Sequence, residues 1–237
     1  MPHTMGKAID LLIRQFTFAD AIALGWFLFC WIAYGLFAEH SGHARRGLAA
    51  LTSRYRLEWA RQLLARENRI MDPPLVHVLV SSASFYSNTT IYIMAGLMAV
   101  LGTLDKVVKL AADLPFGETV GQDLTEAKIL LLLFVFVFAY FKLSWSLRQY
   151  NLLAVMIGAA PPASSNEETR EKFARKIATV SGSAGNEFNR GIRAYYFGVA
   201  ALSWFIQPWL FVASTTLVVI VMYRRNSVKE LTRVLKE

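Results

Sequence analysis

Charge is nearly absent from four long stretches of this 237-residue chain, and no other feature constrains its fold as strongly. Residues 18–38 carry one charged side chain, Asp20, and residues 76–104 carry none. Residues 129–150 carry two, Lys142 and Arg148, and residues 195–223 carry none. Together they hold three of the 42 charged residues, so charge is confined to what joins them. A bilayer core about 30 Å thick takes roughly 20 apolar residues as helix. Backbone in lipid must satisfy its own hydrogen bonds, so each stretch reads as a membrane helix. A soluble protein with long core helices is the alternative, but such helices rarely run this far without charge. The expected fold is an all-α membrane protein of one integral domain over 1–237. It has four transmembrane helices and amphipathic helices in its cytoplasmic loops.

The first stretch follows Lys7 and Arg14 and so resembles a signal peptide, but it is longer than the usual 7–15-residue apolar region. With Trp26, Phe27 and Trp31 near its centre, it reads as an uncleaved anchor. At 55% hydrophobic residues the chain is not disordered. A single cysteine, Cys30, excludes an intramolecular disulfide and a cysteine-cluster metal site.

Sidedness follows from the loops. Residues 39–75 carry seven Lys/Arg, all arginine, and residues 151–194 carry six Lys/Arg. Residues 102–128 carry three and are net negative. Cytoplasmic loops hold the Lys/Arg excess, so the first and third loops are expected in the cytoplasm of a bacterial inner membrane. Four crossings then put both termini outside. The tail opposes this, because Tyr223-Arg224-Arg225 opens a segment with five Lys/Arg, leaving 13 inside against 10 outside.

In the first basic loop Leu48, Leu51, Tyr55, Trp59, Leu63 and Ile70 recur at helical spacing, with arginines on the other face. Such a helix suits the membrane surface or packing on another cytoplasmic helix. Asp72-Pro73-Pro74 is expected to end it. The second loop breaks at Gly158-Ala-Ala-Pro-Pro, restarts with a capping box of Ser165 and Glu168, and is expected to break again at residues 180–186.

Three polar constellations stand out. In the second span Ser81, Ser84 and Asn88 share a face, and Ala95 and Ala99 form a small-xxx-small pair. They serve close helix packing or line a pocket for substrate or lipid. In the third span Lys142, Ser146 and Gln149 share one face, and Ser144, Arg148 and Asn151 another. They anchor the helix or form a polar site in the bundle. Before the fourth span Asn189, Arg190, Arg193, Tyr195 and Tyr196 stand at the boundary. Guanidinium groups there match a phosphate headgroup bidentately, or simply form the basic and aromatic belt. Pro208 is expected to kink the fourth span and free the carbonyl of Trp204.

His40 and His43 lack partners at metal-ligand spacing, and no cofactor is expected. Neither a phosphate loop nor HExxH, GxSxG or a dinucleotide fingerprint occurs. The basic residues flank membrane segments, so nucleic acid is not an expected partner.

These residues carry a family resemblance. Asp20 with Phe29-Cys-Trp31-Ile-Ala-Tyr34, Arg54, Trp59 and Arg69-Ile-Met-Asp72 come first. Phe141-Lys-Leu-Ser-Trp145-Ser-Leu-Arg148-Gln149-Tyr-Asn151 and Gly158-Ala-Ala-Pro161 follow. Phe188-Asn189-Arg190-Gly191-Ile-Arg193-Ala-Tyr195-Tyr196-Phe197, Trp204 and Pro208 close the set. The chain resembles the membrane family called domain of unknown function 599, which implies four membrane helices and no assigned activity. The expected role is non-enzymatic: an accessory or interaction subunit meeting membrane lipids, other membrane subunits or its own copy. The alternative is a lipid- or small-substrate-binding transporter or channel acting as an oligomer, using Asn88, Lys142, Arg148, Gln149, Asn189, Arg190, Arg193 and Tyr195.

Overall fold

The computed structural model describes residues 17–40, 48–104 and 121–226. Among them are six α-helices and one 3-10 turn: α1 Phe18–His40, α2 Leu48–Ala65, α3 Asp72–Gly102, α4 Gln122–Gly158, α5 Glu167–Leu202, the turn Ser203–Phe205, and α6 Pro208–Asn226. Among the described residues three helices, α1, α3 and α4, are long and apolar enough to cross a membrane. The chain is therefore all-α and a multi-pass membrane protein by these spans. The acidic stretch 105–120, His43 and the tail after Asn226 lie outside the described residues.

The helices depart from expectation at their ends. The third span, expected over 129–150, is part of a helix running 37 residues, and α5 runs 36. At 1.5 Å per residue each is about 55 Å long, well beyond a hydrocarbon core of about 30 Å. The expected break at 180–186 is absent, because Ser181-Gly-Ser-Ala-Gly lies inside α5. There small residues serve packing, not chain reversal: the Ser146 hydroxyl donates to the carbonyl of Ala184 at 2.7 Å, and Gly185 lies under the Arg56 guanidinium.

The cap of α5 also differs. Asn166, not Ser165, accepts the backbone N–H of Thr169, at 2.8 Å. Asp72-Pro73-Pro74 opens α3 instead of closing α2, since proline fits a helix's first turn where N–H groups lack partners anyway. The segment 195–223 is not one helix. α5 ends at Leu202, the turn follows, and α6 restarts at Pro208, where the missing N–H is harmless.

By its contacts the described chain divides into two units: 17–35, 90–104, 121–138 and 194–222 form the first, and 36–40, 48–89, 139–193 and 223–226 the second. In the first, Phe27 lies edge-on to Phe197 at 5.7 Å and against Phe211 at 5.0 Å. Trp31 stacks on Phe197, and Trp204 on Phe211. The Trp204 indole N–H donates to Asp20 Oδ1 at 2.8 Å, so the one charged group of residues 18–38 is satisfied although buried. Lys128 Nζ lies 5.5 Å from the Trp204 ring centroid.

In the second unit, Ala60, Leu63 and Leu64 of α2 pack with Val76, Leu153, Ile157, Ala174 and Ile177. Helix α2 thus buries its apolar face on neighbouring helices. That face is centred on Ala60 and Leu63–Leu64, which leaves Tyr55 and Ile70 exposed, contrary to the expected stripe. Arg61 grips Glu171 with two bonds of 2.9 Å, joining α2 to α5. Arg69 donates to the carbonyls of Leu63, Ala160 and Pro161, tying the end of α2 to the chain leaving α4.

Candidate functional site

Three ionisable groups, Lys142, Glu187 and Arg190, meet on the face that α4 turns to α5. Lys142, Ser146 and Gln149 share it, as spacing predicts. Lys142 Nζ stands 3.0 Å from Glu187 Oε2, and Arg190 Nη1 pairs with Glu187 Oε1. The carboxylate is nearly buried, with 10% of its side chain exposed, whereas the two cations are about one-third exposed or less. Burying a lone carboxylate is costly, and two cations offset that cost. The trio keeps a net charge of +1, so it favours a further anion over a cation.

Glu187 is the member that sequence reasoning passed over. Its signal was present: it precedes Arg190 by three residues, the spacing of a helical ion pair. The continuous run of α5 through its glycines brings it to Lys142. Gln149, half-buried one turn beyond Ser146, has a buried Nε2 without a hydrogen-bond partner among the described residues.

The other candidates lie apart from this trio or at its edge. Arg148 is exposed, its guanidinium 6.0 Å from the Trp145 ring centroid. Asn189 is exposed and Arg193 half-buried on α5. Tyr195 belongs to the first unit, where its hydroxyl meets that of Thr90 at 2.6 Å and its ring stands edge-on to Phe136. Asn88 is exposed on α3. Ser81, Ser84 and Asn88 do not form the buried face of that helix. Val76, Ala83, Ser87 and Thr90 do, and Ser87 meets Ser144 at 3.3 Å.

Helices α3 and α5 both carry small residues every seventh position. On α5 they are Ala184, Gly191 and Gly198, all buried, with Leu143 over Gly191 and Phe136 over Gly198. A helix pair approaches closely where such rows meet large side chains. On α3 the row is Ser81, Asn88, Ala95 and Gly102, flanked by Val78, Phe85, Tyr92 and Ala99, and all eight are exposed. Alternating steps of three and four define the seam of a left-handed helix pair. Over its most apolar stretch α3 is only 11% buried, against 44% for α4.

These features define a helical multi-pass membrane protein with an ion trio between two close-packed helices and an exposed seven-residue row along α3. The family model for a protein of unknown function, DUF599, matches residues 22–231, and the chain belongs to that family. No curated protein and no solved structure matches it.

Proposed function

We propose that the protein is a non-enzymatic subunit of the bacterial inner membrane that works by helix–helix docking, with α3 as its docking face and a second copy as its first partner. The observation that carries this is the uncovered seven-residue row of α3. Lipid makes no demand for small or polar residues at that period, whereas a partner helix does. In a parallel pair about a two-fold axis each row position faces its own copy, so Asn88 meets Asn88 and Ala95 meets Ala95. Interhelical hydrogen bonds of this kind contribute about 0.6–2 kcal/mol each in membranes. The basic loops 39–75 and 151–194 are cytoplasmic and face anionic headgroups.

The test is the oligomeric state in a mild detergent, with Asn88→Cys for cross-linking and Ala95→Phe to obstruct the seam. Dimers that cross-link at position 88 and dissociate with Ala95→Phe support the reading. A monomer without cross-link in native membranes refutes it.

A second reading rests on the Lys142–Glu187–Arg190 trio: a lipid- or small-substrate-binding transporter acting as an oligomer, with an anionic group drawn to the net positive site. Anionic lipid that co-purifies with the protein and is lost in Arg190→Gln supports it.

A further inference from the structure

We infer that the chain crosses the membrane five times and that its C-terminal tail lies on the same side as the two basic loops. This does not rest on the docking role. The argument starts from α1 and α6, which run side by side in the same direction. In the first unit Asp20 meets Trp204, Phe27 meets Phe211, and the Trp26 indole N–H donates to the Thr216 hydroxyl at 3.0 Å. In the second unit Phe37 lies 5.9 Å from Tyr223 as both helices end. The start of α1 is thus beside the turn before α6, and the end of α1 beside the end of α6.

Helix α1 leads into the first basic loop. Helix α6, its parallel neighbour, therefore delivers Arg224 and Arg225 to that same side. The stretch 195–223 does not cross once with a kink. Helix α5 carries the chain out to Leu202, the 3-10 turn and Gln207 reverse it, and α6 brings it back. Helix α6, less apolar than α1, α3 and α4 because its last turn holds Arg224 and Arg225, has 19 residues, about 28 Å of helix, close to a bilayer core of about 30 Å.

The charge pattern supplies independent support. With four crossings the tail's five Lys/Arg count as outside, and the margin is 13 to 10. With five they join the loops, and even with Arg190 and Arg193 set aside as part of the α5 span it becomes 16 to 5. Lys/Arg bias near span ends sets orientation, so the second distribution is the one a membrane enforces. It also completes α6, whose last turn carries Arg224 and Arg225 at the headgroup level, where arginine is favoured. A partner that reads the tail is then a cytoplasmic one.

Two reporters on the intact chain decide the matter: green fluorescent protein, which fluoresces only when it stays in the cytoplasm, and alkaline phosphatase, which is active only outside. At the C-terminus the fluorescent fusion is expected bright and the phosphatase inactive, with the opposite result for insertions between residues 105 and 120. A Gln207→Cys variant is expected to react with a membrane-impermeant maleimide in intact spheroplasts. An active C-terminal phosphatase, or a Gln207→Cys that labels only after the inner face is opened, overturns the five-crossing topology.

Discussion

Replacing Gly191 with alanine tests the close approach of α4 and α5 directly. The added methyl would stand 2.6 Å from Leu143 Cγ, 2.8 Å from its Cδ2 and 3.4 Å from the Ala139 carbonyl oxygen. Carbon atoms pack at about 3.5–4.0 Å, so the overlap approaches 1 Å. Leu143 is fully buried, and its branch point, not a flexible tip, is the nearest atom. Either the helices part or Leu143 leaves its rotamer, at about 1–3 kcal/mol. Alanine's better helix propensity returns up to about 1 kcal/mol. The net expectation is a loss of about 1–2 kcal/mol.

Gly182 supplies the control on the same helix, since its nearest neighbour is Arg56 Nη1 at 3.9 Å. There alanine keeps the propensity gain and stabilises by up to about 1 kcal/mol. Reversible unfolding in mixed micelles of rising SDS fraction, followed by far-ultraviolet circular dichroism, measures both. Adding Leu143→Ala to Gly191→Ala is expected to cost less than Leu143→Ala costs alone, because the new methyl occupies part of the cavity. Equal stability of the two glycine variants, or additive costs in the double variant, refutes the reasoning.

Two further expectations concern charge. The Arg61 guanidinium holds the Glu171 carboxyl at about 2, below its ordinary 4.5. A depressed carboxylate stabilises fully above its unfolded value, so this contribution is present above about pH 4.5 and fades as pH falls toward 2. A carbon-detected NMR titration of Arg61→Gln is expected to move Glu171 back toward 4.5, and an unchanged value contradicts the pairing. Glu187→Gln removes the carboxylate that both Lys142 and Arg190 pair with, and is expected to cost about 1–3 kcal/mol in the same micelle assay. Lys142→Met added to Glu187→Gln is expected to recover part of that loss, and a further loss instead contradicts the ion trio.

Absence of charge was legible because it records solvent: the ends of α1 and α3 fall within a few residues of their charge-free stretches. Length was not legible for α4 and α5, since each continues beyond the apolar stretch into contacts made by other helices. Ser181-Gly-Ser-Ala-Gly resembles a linker to any local rule, yet its small size is what admits Arg56 and Ser146 to α5. Tertiary packing overrides glycine's weak helix propensity there. Pro208 was legible as an interruption, but a kink and a reversal share the same residue. The contacts along α1 and α6, from Phe27 against Phe211 to Phe37 against Tyr223, separate them. Of the candidate site, Lys142 was legible by its cost in an apolar setting and Arg190 by its place at the membrane boundary, and Glu187 was masked by a charged neighbourhood that looked like headgroup anchoring.

The pairing of α1 with α6 also sets an order of assembly. The bond from Trp26 to Thr216 spans 190 residues, and that from Trp204 to Asp20 spans 184. By contrast Ser146 and Ala184 are 38 apart, so the α4–α5 hairpin closes soon after it is made. Helix α1 meets α4 earlier, through Trp31 against Phe134 and Phe138, and completes its contacts only when α6 is made. Until Trp204 arrives the Asp20 carboxylate has the Thr17 backbone N–H beside it, and a chain that stops before Trp204 leaves it without its indole donor.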